Sequence, residues 1–210
     1  MTLPTIAIAD FISNLVPVAI GAWRFRSLSR PLRPFFGLVV LAALSEWVSF
    51  AMATNGIHNL WLIQIYHLIA ASGIILLFST WRTGTSVDAL SKAFVGAYVL
   101  LWIVAKFAFE PITADDQYTY TVACAACLIA AVWYLSHVAR QEDLELPREP
   151  QFWMACGVLL YYATNVVLFS EFHRVILSSK MDFAVVWQLH WGADILVNLL
   201  FSYGFLRVRR

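Results

Sequence analysis

Seven apolar stretches alternate with short polar connections along this 210-residue chain, over 5–23, 35–54, 60–80, 93–109, 118–138, 152–172 and 184–206. A helix rising about 1.5 Å per residue needs about 20 apolar residues to cross about 30 Å of hydrocarbon, and the stretches are near that length. None shows the ten-residue alternation of a membrane β-barrel strand, so helices are the expected spanning elements. The first stretch carries Asp10, Asn14 and Pro17 but no basic leader and no small-residue cleavage site. It reads as a retained helix and not a signal peptide. The expected fold is all-α: one polytopic seven-transmembrane-helix bundle covering 1–210, with no second domain.

Composition agrees with this pattern. The chain is 61% hydrophobic and 13% charged, against about 45–50% and about 25% in soluble domains. The net charge of +1 offers no electrostatic footprint for nucleic acid. The position of the charges is more informative. Connections after the first, third and fifth stretches, together with the tail, hold Arg24, Arg26, Arg30, Arg33, Arg82, Lys92, Arg140, Arg148, Arg207, Arg209 and Arg210. The opposite side has Lys106, Arg174 and Lys180. By the positive-inside rule the amino terminus is outside, the carboxy terminus is cytoplasmic, and the expected location is the cytoplasmic (inner) membrane. Trp23, Trp61, Trp81, Trp133, Trp153 and Trp187 fall near stretch ends as interfacial anchors, whereas Trp47, Trp102 and Trp191 lie deeper.

Against this apolar background, Glu46, His67, His190 and Asp194 stand out. Ionisable groups in hydrocarbon are costly and mark function by default. Counted along the stretches, they fall within roughly 6 Å of mid-membrane, at it or on its outer side. His190, Asp194 and Asn198 share one helical stripe at i, i+4 and i+8, and Gln64 and His67 are i, i+3 neighbours. His190 and Asp194 are within reach of each other. Glu46 needs a partner from another helix, and His67 is nearest in height. Asn14, Gln64 and Asn165 are supporting polar groups, and Tyr66 and Trp191, with Trp47, Tyr161 and Tyr162, supply an aromatic wall of the kind a small-molecule site uses. The expected ligand-binding set is therefore Glu46, His67, His190, Asp194, Gln64, Asn14, Asn165, Trp191 and Tyr66. Lys106 is expected to snorkel outward. Cys124 and Cys127 form a C-x-x-C inside an apolar helix, where small residues serve close helix packing.

Several chemistries are weighed against this set. A retinal Schiff base needs a lysine within the last helix, which has none. An intramembrane metal-dependent hydrolase has acceptable ligand types here but no closely spaced histidine pair. A small-solute or proton-coupled transporter suits buried carboxylates and histidines, but the inner half of the bundle is comparatively apolar. The pattern favours a non-enzymatic sensor or receptor-like protein. It takes a small-molecule ligand or protons in an outer-half pocket, needs no cofactor, and signals through a membrane or cytoplasmic partner. Membrane lipids are its surroundings.

The run Phe152-Trp153, Gly157-Val-Leu-Leu-Tyr161-Tyr162-Ala-Thr-Asn165, followed by Trp187-Gln-Leu-His190 and Asn198-Leu-Leu-Phe201, resembles a group of bacterial, Bacteroidetes-type seven-span membrane proteins of the kind found alongside sensor kinases. The resemblance covers mainly the last two stretches, with an echo at Glu46. It implies signal transduction and no particular catalysis.

Overall fold

The computed structural model describes residues 5–83, 87–141, 145–178 and 180–208, with side chains outside 83 and 170–184. His173, Arg174 and Lys180, as interfacial or outer-side charges, lie outside the described side chains, as do Arg209 and Arg210. The described chain is helical, with α1 (Thr5–Ser13), α2 (Leu15–Arg24), α3 (Leu32–Thr54), α4 (Leu60–Thr83), α5 (Ala89–Ala108), α6 (Gln117–Val138), α7 (Pro150–Ser178) and α8 (Lys180–Leu206). Six segments among the described residues are long and apolar enough to cross a membrane: Thr5–Ser27, Leu32–Thr54, Leu60–Arg82, Ala89–Ala108, Gln117–Val138 and Pro150–Phe169. That is one fewer than the seven expected. The seventh expected stretch, 184–206, begins among residues outside the described side chains.

The first stretch is two helices, not one. Pro17 has no N–H to give the carbonyl four residues back and its ring crowds that carbonyl, which interrupts the ladder at Ser13 and Asn14. Side chains bond beside the break and tie it to α8. Ser13 Oγ donates to the Asp10 carbonyl at 2.8 Å, and Asn198 Nδ2 on α8 donates to Ser13 Oγ at 2.9 Å. At the α3–α4 turn, Gly56 takes φ +70, the left-handed region that costs other residues a Cβ clash. There the Ile57 N–H reaches back to the Met52 carbonyl at 2.8 Å and closes α3.

Packing contacts close a ring. α2 lies against α3 and α8, α3 against α4, α4 against α6, α6 against α7, and α7 against α8. On α6, Ala123, Cys124, Cys127 and Ala131 are fully buried at helical spacing. Small side chains let backbones approach where lipid offers no hydrophobic drive to association. Cys127 Sγ contacts the Ala71 carbonyl of α4 at 3.8 Å, so the C-x-x-C pair packs two helices together. α5 stays outside the ring, against α4 and α6, and is the least buried of the six apolar segments.

Lys106 does not snorkel outward. Its Nζ lies 3.2 Å from Glu110 Oε2, and both side chains are buried. Glu110 also accepts from the backbone N–H groups of Tyr118 (2.7 Å) and Thr119 (3.3 Å) and from Thr119 Oγ1 (2.5 Å). One carboxylate thus satisfies a lysine and the otherwise orphaned first turn of α6.

At the opposite end, Asp88 caps α5. Its Oδ1 accepts from the Ser91 N–H at 2.7 Å, and Oδ2 accepts from Ser79 Oγ at 2.7 Å and from Arg82. The Ser79 hydroxyl, the Ser91 N–H and Arg82 hold the Asp88 carboxyl well below the usual carboxylate range. Asp88→Ala is expected to cost about 0.5–2 kcal/mol, the range for a lost N-cap. A lowered folded-state value means that Asp88 stabilises above the unfolded carboxylate value of about 3.9 and loses that contribution as pH falls towards the folded value. Unfolding of wild type and Asp88→Ala in detergent should therefore differ at neutral pH, with the gap narrowing steadily as pH falls below the unfolded carboxylate value.

Candidate functional site

The ring encloses a cavity of about 620 Å³, lined from α1, α3, α4, α6, α7, α8 and the loop before α6, with no residue of α5. Its wall reaches exposed residues at one end, Ala53 and Asp115, and descends to Phe35, Ile74 and Phe201. From Ala53 to Phe35 along α3 is about 27 Å at helical rise, so the cavity runs most of the depth of the bundle. Its character changes along the way. The half towards Asp115 holds Asp10, Asn14, Glu46, His67, Asp116, Asn165, His190 and Asp194. The deep half is mainly apolar, with Leu38, Val39, Ala42, Ala43, Val158 and Val197 beside the amide of Asn198.

Below it lies an aromatic floor. Phe35 stands edge-on to Phe201 at 5.1 Å and meets Trp81 at 5.6 Å, and Phe36 stands edge-on to Phe205 at 5.7 Å. Trp81, read from its position as an interfacial anchor, belongs to this packed cluster. Arg24 ties the floor down by donating to the Leu206 and Val208 carbonyls, each at 3.1 Å, which caps the end of α8.

Eight of the nine residues expected at a site line this cavity: Glu46, His67, His190, Asp194, Asn14, Asn165, Trp191 and Tyr66. Gln64 does not. It is buried beside the cavity, and its amide donates to the Ala114 carbonyl and at 3.4 Å to that of Ile112, fastening the α5–α6 loop onto α4. The pairings also differ from those expected. Glu46 does not meet His67. Asn14, between α1 and α2, faces α3, where Nδ2 donates to Glu46 Oε2 and Oδ1 accepts from Trp47 Nε1 at 3.2 Å. Trp47 acts through Asn14 and is not itself part of the cavity wall.

His67 pairs instead with Asp116, Nδ1 to Oδ2, at 2.8 Å. It stacks on the Tyr120 ring at 3.7 Å and 16°, and Tyr120 Oη donates to Tyr161 Oη at 3.3 Å. A carboxylate at Nδ1 fixes the imidazole and leaves Nε2 as the free ring nitrogen. Asp116 was missing from the expected set because it falls in a connection. Two acids immediately before an apolar helix normally read as caps, yet Asp116 makes no side-chain cap bond and turns sideways to His67. Its neighbour Asp115 also lines the cavity.

His190 and Asp194 meet within α8 as expected, Nε2 to Oδ2, at 3.3 Å. Among the described residues, His190 Nδ1, Asp194 Oδ1 and Asn165 Oδ1 are buried without a hydrogen-bond partner. Asp10 is buried in the cavity wall and not at a headgroup surface. Trp187, placed by the sequence at the interface, also joins the wall. Among the described residues, no three His, Cys, Asp or Glu side chains are grouped so as to hold a metal ion. The arrangement offers carboxyl and amide oxygens, two carboxylate-held imidazoles and aromatic faces above an apolar well. No family model matches this chain, and neither the curated proteins nor the solved structures searched contain a match.

Proposed function

We propose that this chain is a multi-pass protein of the cytoplasmic membrane that binds a small molecule in its central cavity and acts as a sensor. The observation that carries the reading is the cavity itself: about 620 Å³, polar in one half and mainly apolar in the other. That volume falls within the range of small-ligand sites, about 300–1,000 Å³. In this reading α8 is a seventh crossing. Its 27 residues reach about 40 Å at helical rise, and it packs along α7 and α2. The basic residues Arg24, Arg33, Arg82, Arg140, Arg148 and Arg207 then share the cytoplasmic end with the carboxy terminus, and the polar half of the cavity faces outward.

The floor favours sensing over transport. Phe35, Phe201, Phe36 and Phe205 pack across the path a solute would take to the cytoplasmic end. α8 carries both cavity residues, His190 and Asp194, and floor residues, Phe201 and Phe205. A ligand that shifts α8 therefore repacks the cytoplasmic end, where a partner protein reads it, provided the ligand binds the two packings unequally.

The test uses a neutral fluorescent probe, N-phenyl-1-naphthylamine, with protein in nanodiscs. Wild type should bind it saturably. Ala43→Trp places an indole in the deep cavity wall and should weaken binding by at least about tenfold, or 1.4 kcal/mol. Equal binding by wild type and a folded Ala43→Trp protein would remove the ligand-site reading, and solute flux in liposomes blocked by the same substitution would replace sensing with transport.

A further inference from the structure

We infer that the cavity is built for a cationic amphiphile, with an amine-type head in the carboxyl layer and an apolar tail on the deep wall. This rests on the ligand-binding reading above and narrows it. The charge around the cavity is one-sided. Asp10, Glu46, Asp115, Asp116 and Asp194 line it, and among the described residues no lysine or arginine does. Lys106 belongs to α5, which gives the cavity no residue, and is occupied by Glu110. A charged head leaves water only where opposite charge and hydrogen bonds replace its hydration. A cationic head finds both in this layer, whereas an anionic head meets carboxyl oxygens.

A second observation does not depend on the acids. Asn165 is 1% exposed and lines the cavity. Its Nδ2 is spent on the Tyr161 carbonyl at 2.8 Å, and its Oδ1 has no donor among the described residues. Asp194 Oδ1 is in the same position, with only Oδ2 engaged by His190. Both oxygens are acceptors, as is the third orphan, His190 Nδ1, when Nε2 donates to Asp194, and an ammonium supplies donors and no acceptor. The rings of Tyr66, Tyr161 and Trp191 in the same wall add faces that attract a cation. Below them Val39, Ile74 and Phe201 suit a hydrocarbon tail.

Displacement of the naphthylamine probe by octylammonium, octanol and octyl sulfate, which share one tail, isolates the head. In wild-type nanodiscs, octylammonium should displace the probe at a concentration at least about tenfold below octanol, with octyl sulfate weakest. Glu46→Gln and Asp194→Asn, shown to be folded by circular dichroism and thermal unfolding, should bring the preference for the cation, taken relative to each variant's own probe affinity, below about threefold. If the probe binds but octanol or octyl sulfate matches octylammonium, or if both variants keep the full preference, the cationic head is wrong and the ligand cavity stands. If wild type binds no probe, the cavity reading fails first and this inference with it.

Discussion

Glu110→Ala is expected to destabilise the folded protein by about 3–5 kcal/mol, the range for breaking one partner out of a buried ion pair. The substitution leaves Lys106 among buried neighbours, with only Thr119 Oγ1 at 3.4 Å and the Trp102 ring at 5.2 Å among the described residues to receive its ammonium. It also removes the acceptor for the Tyr118 and Thr119 N–H groups, so α6 loses its N-terminal anchor beside the cavity. Glu110→Gln should fall between the two, because an amide oxygen still accepts from the helix but no longer neutralises the lysine. Adding Lys106→Met to Glu110→Gln should recover stability relative to Glu110→Gln alone, since replacing both members of a buried pair is often neutral. Reversible unfolding in mixed micelles measures the series. A loss below about 1 kcal/mol for Glu110→Ala, the range of a surface pair, would show that this ion pair is not buried as described.

Gly21→Leu is expected to be the other severe substitution, and Gly21→Ala a milder one with the same sign. Helix propensity argues the other way, because alanine is favoured over glycine by about 0.8–1.0 kcal/mol in a helix interior. Packing decides the outcome. A Cβ at Gly21 would lie 2.3 Å from Phe36 Cδ2 and 3.4 Å from Phe205 Cε2. Phe36 sits against Phe25 at 5.8 Å and Phe205 at 5.7 Å, and Phe205 is fully buried, so the ring has little room to yield. Overpacking costs about 1–3 kcal/mol, which outweighs the propensity gain. Thermal unfolding in detergent should place the order as wild type, Gly21→Ala, Gly21→Leu. An alanine variant more stable than wild type would mean that α2 and α3 are not in the close contact drawn for them.

The helices were readable along the chain because the bilayer acts on each span separately. The 32–54 and 60–83 helices lie within a few residues of the stretches read from hydropathy, as does α6. Polar positions in such stretches were equally legible, since few residues survive in hydrocarbon without a reason. Hence Glu46, His67, His190 and Asp194 were found, and the i, i+4 contact of the last two followed from helical spacing alone.

Partners across helices were not legible in this way. Glu46 and His67 match in height, but height does not fix direction around the helix, and each turns to a different neighbour. Asn14 meets Glu46 from the junction of α1 and α2, a pairing that height alone did not single out. Asp116 and Lys106 exchange the roles their positions imply: the loop acid enters the cavity wall, and the lysine within a span is held by a capping carboxylate. The exclusion of α5 from the ring, which leaves the cavity to the other spans, has no signature in an apolar run that looks like the rest. What the sequence by itself determined is an all-helical chain of apolar segments and the polar groups within them, because hydration and hydrogen bonding penalise each residue locally. Only the tertiary structure decided which groups meet and which helices enclose space, because those depend on side-chain direction and packing between segments distant along the chain.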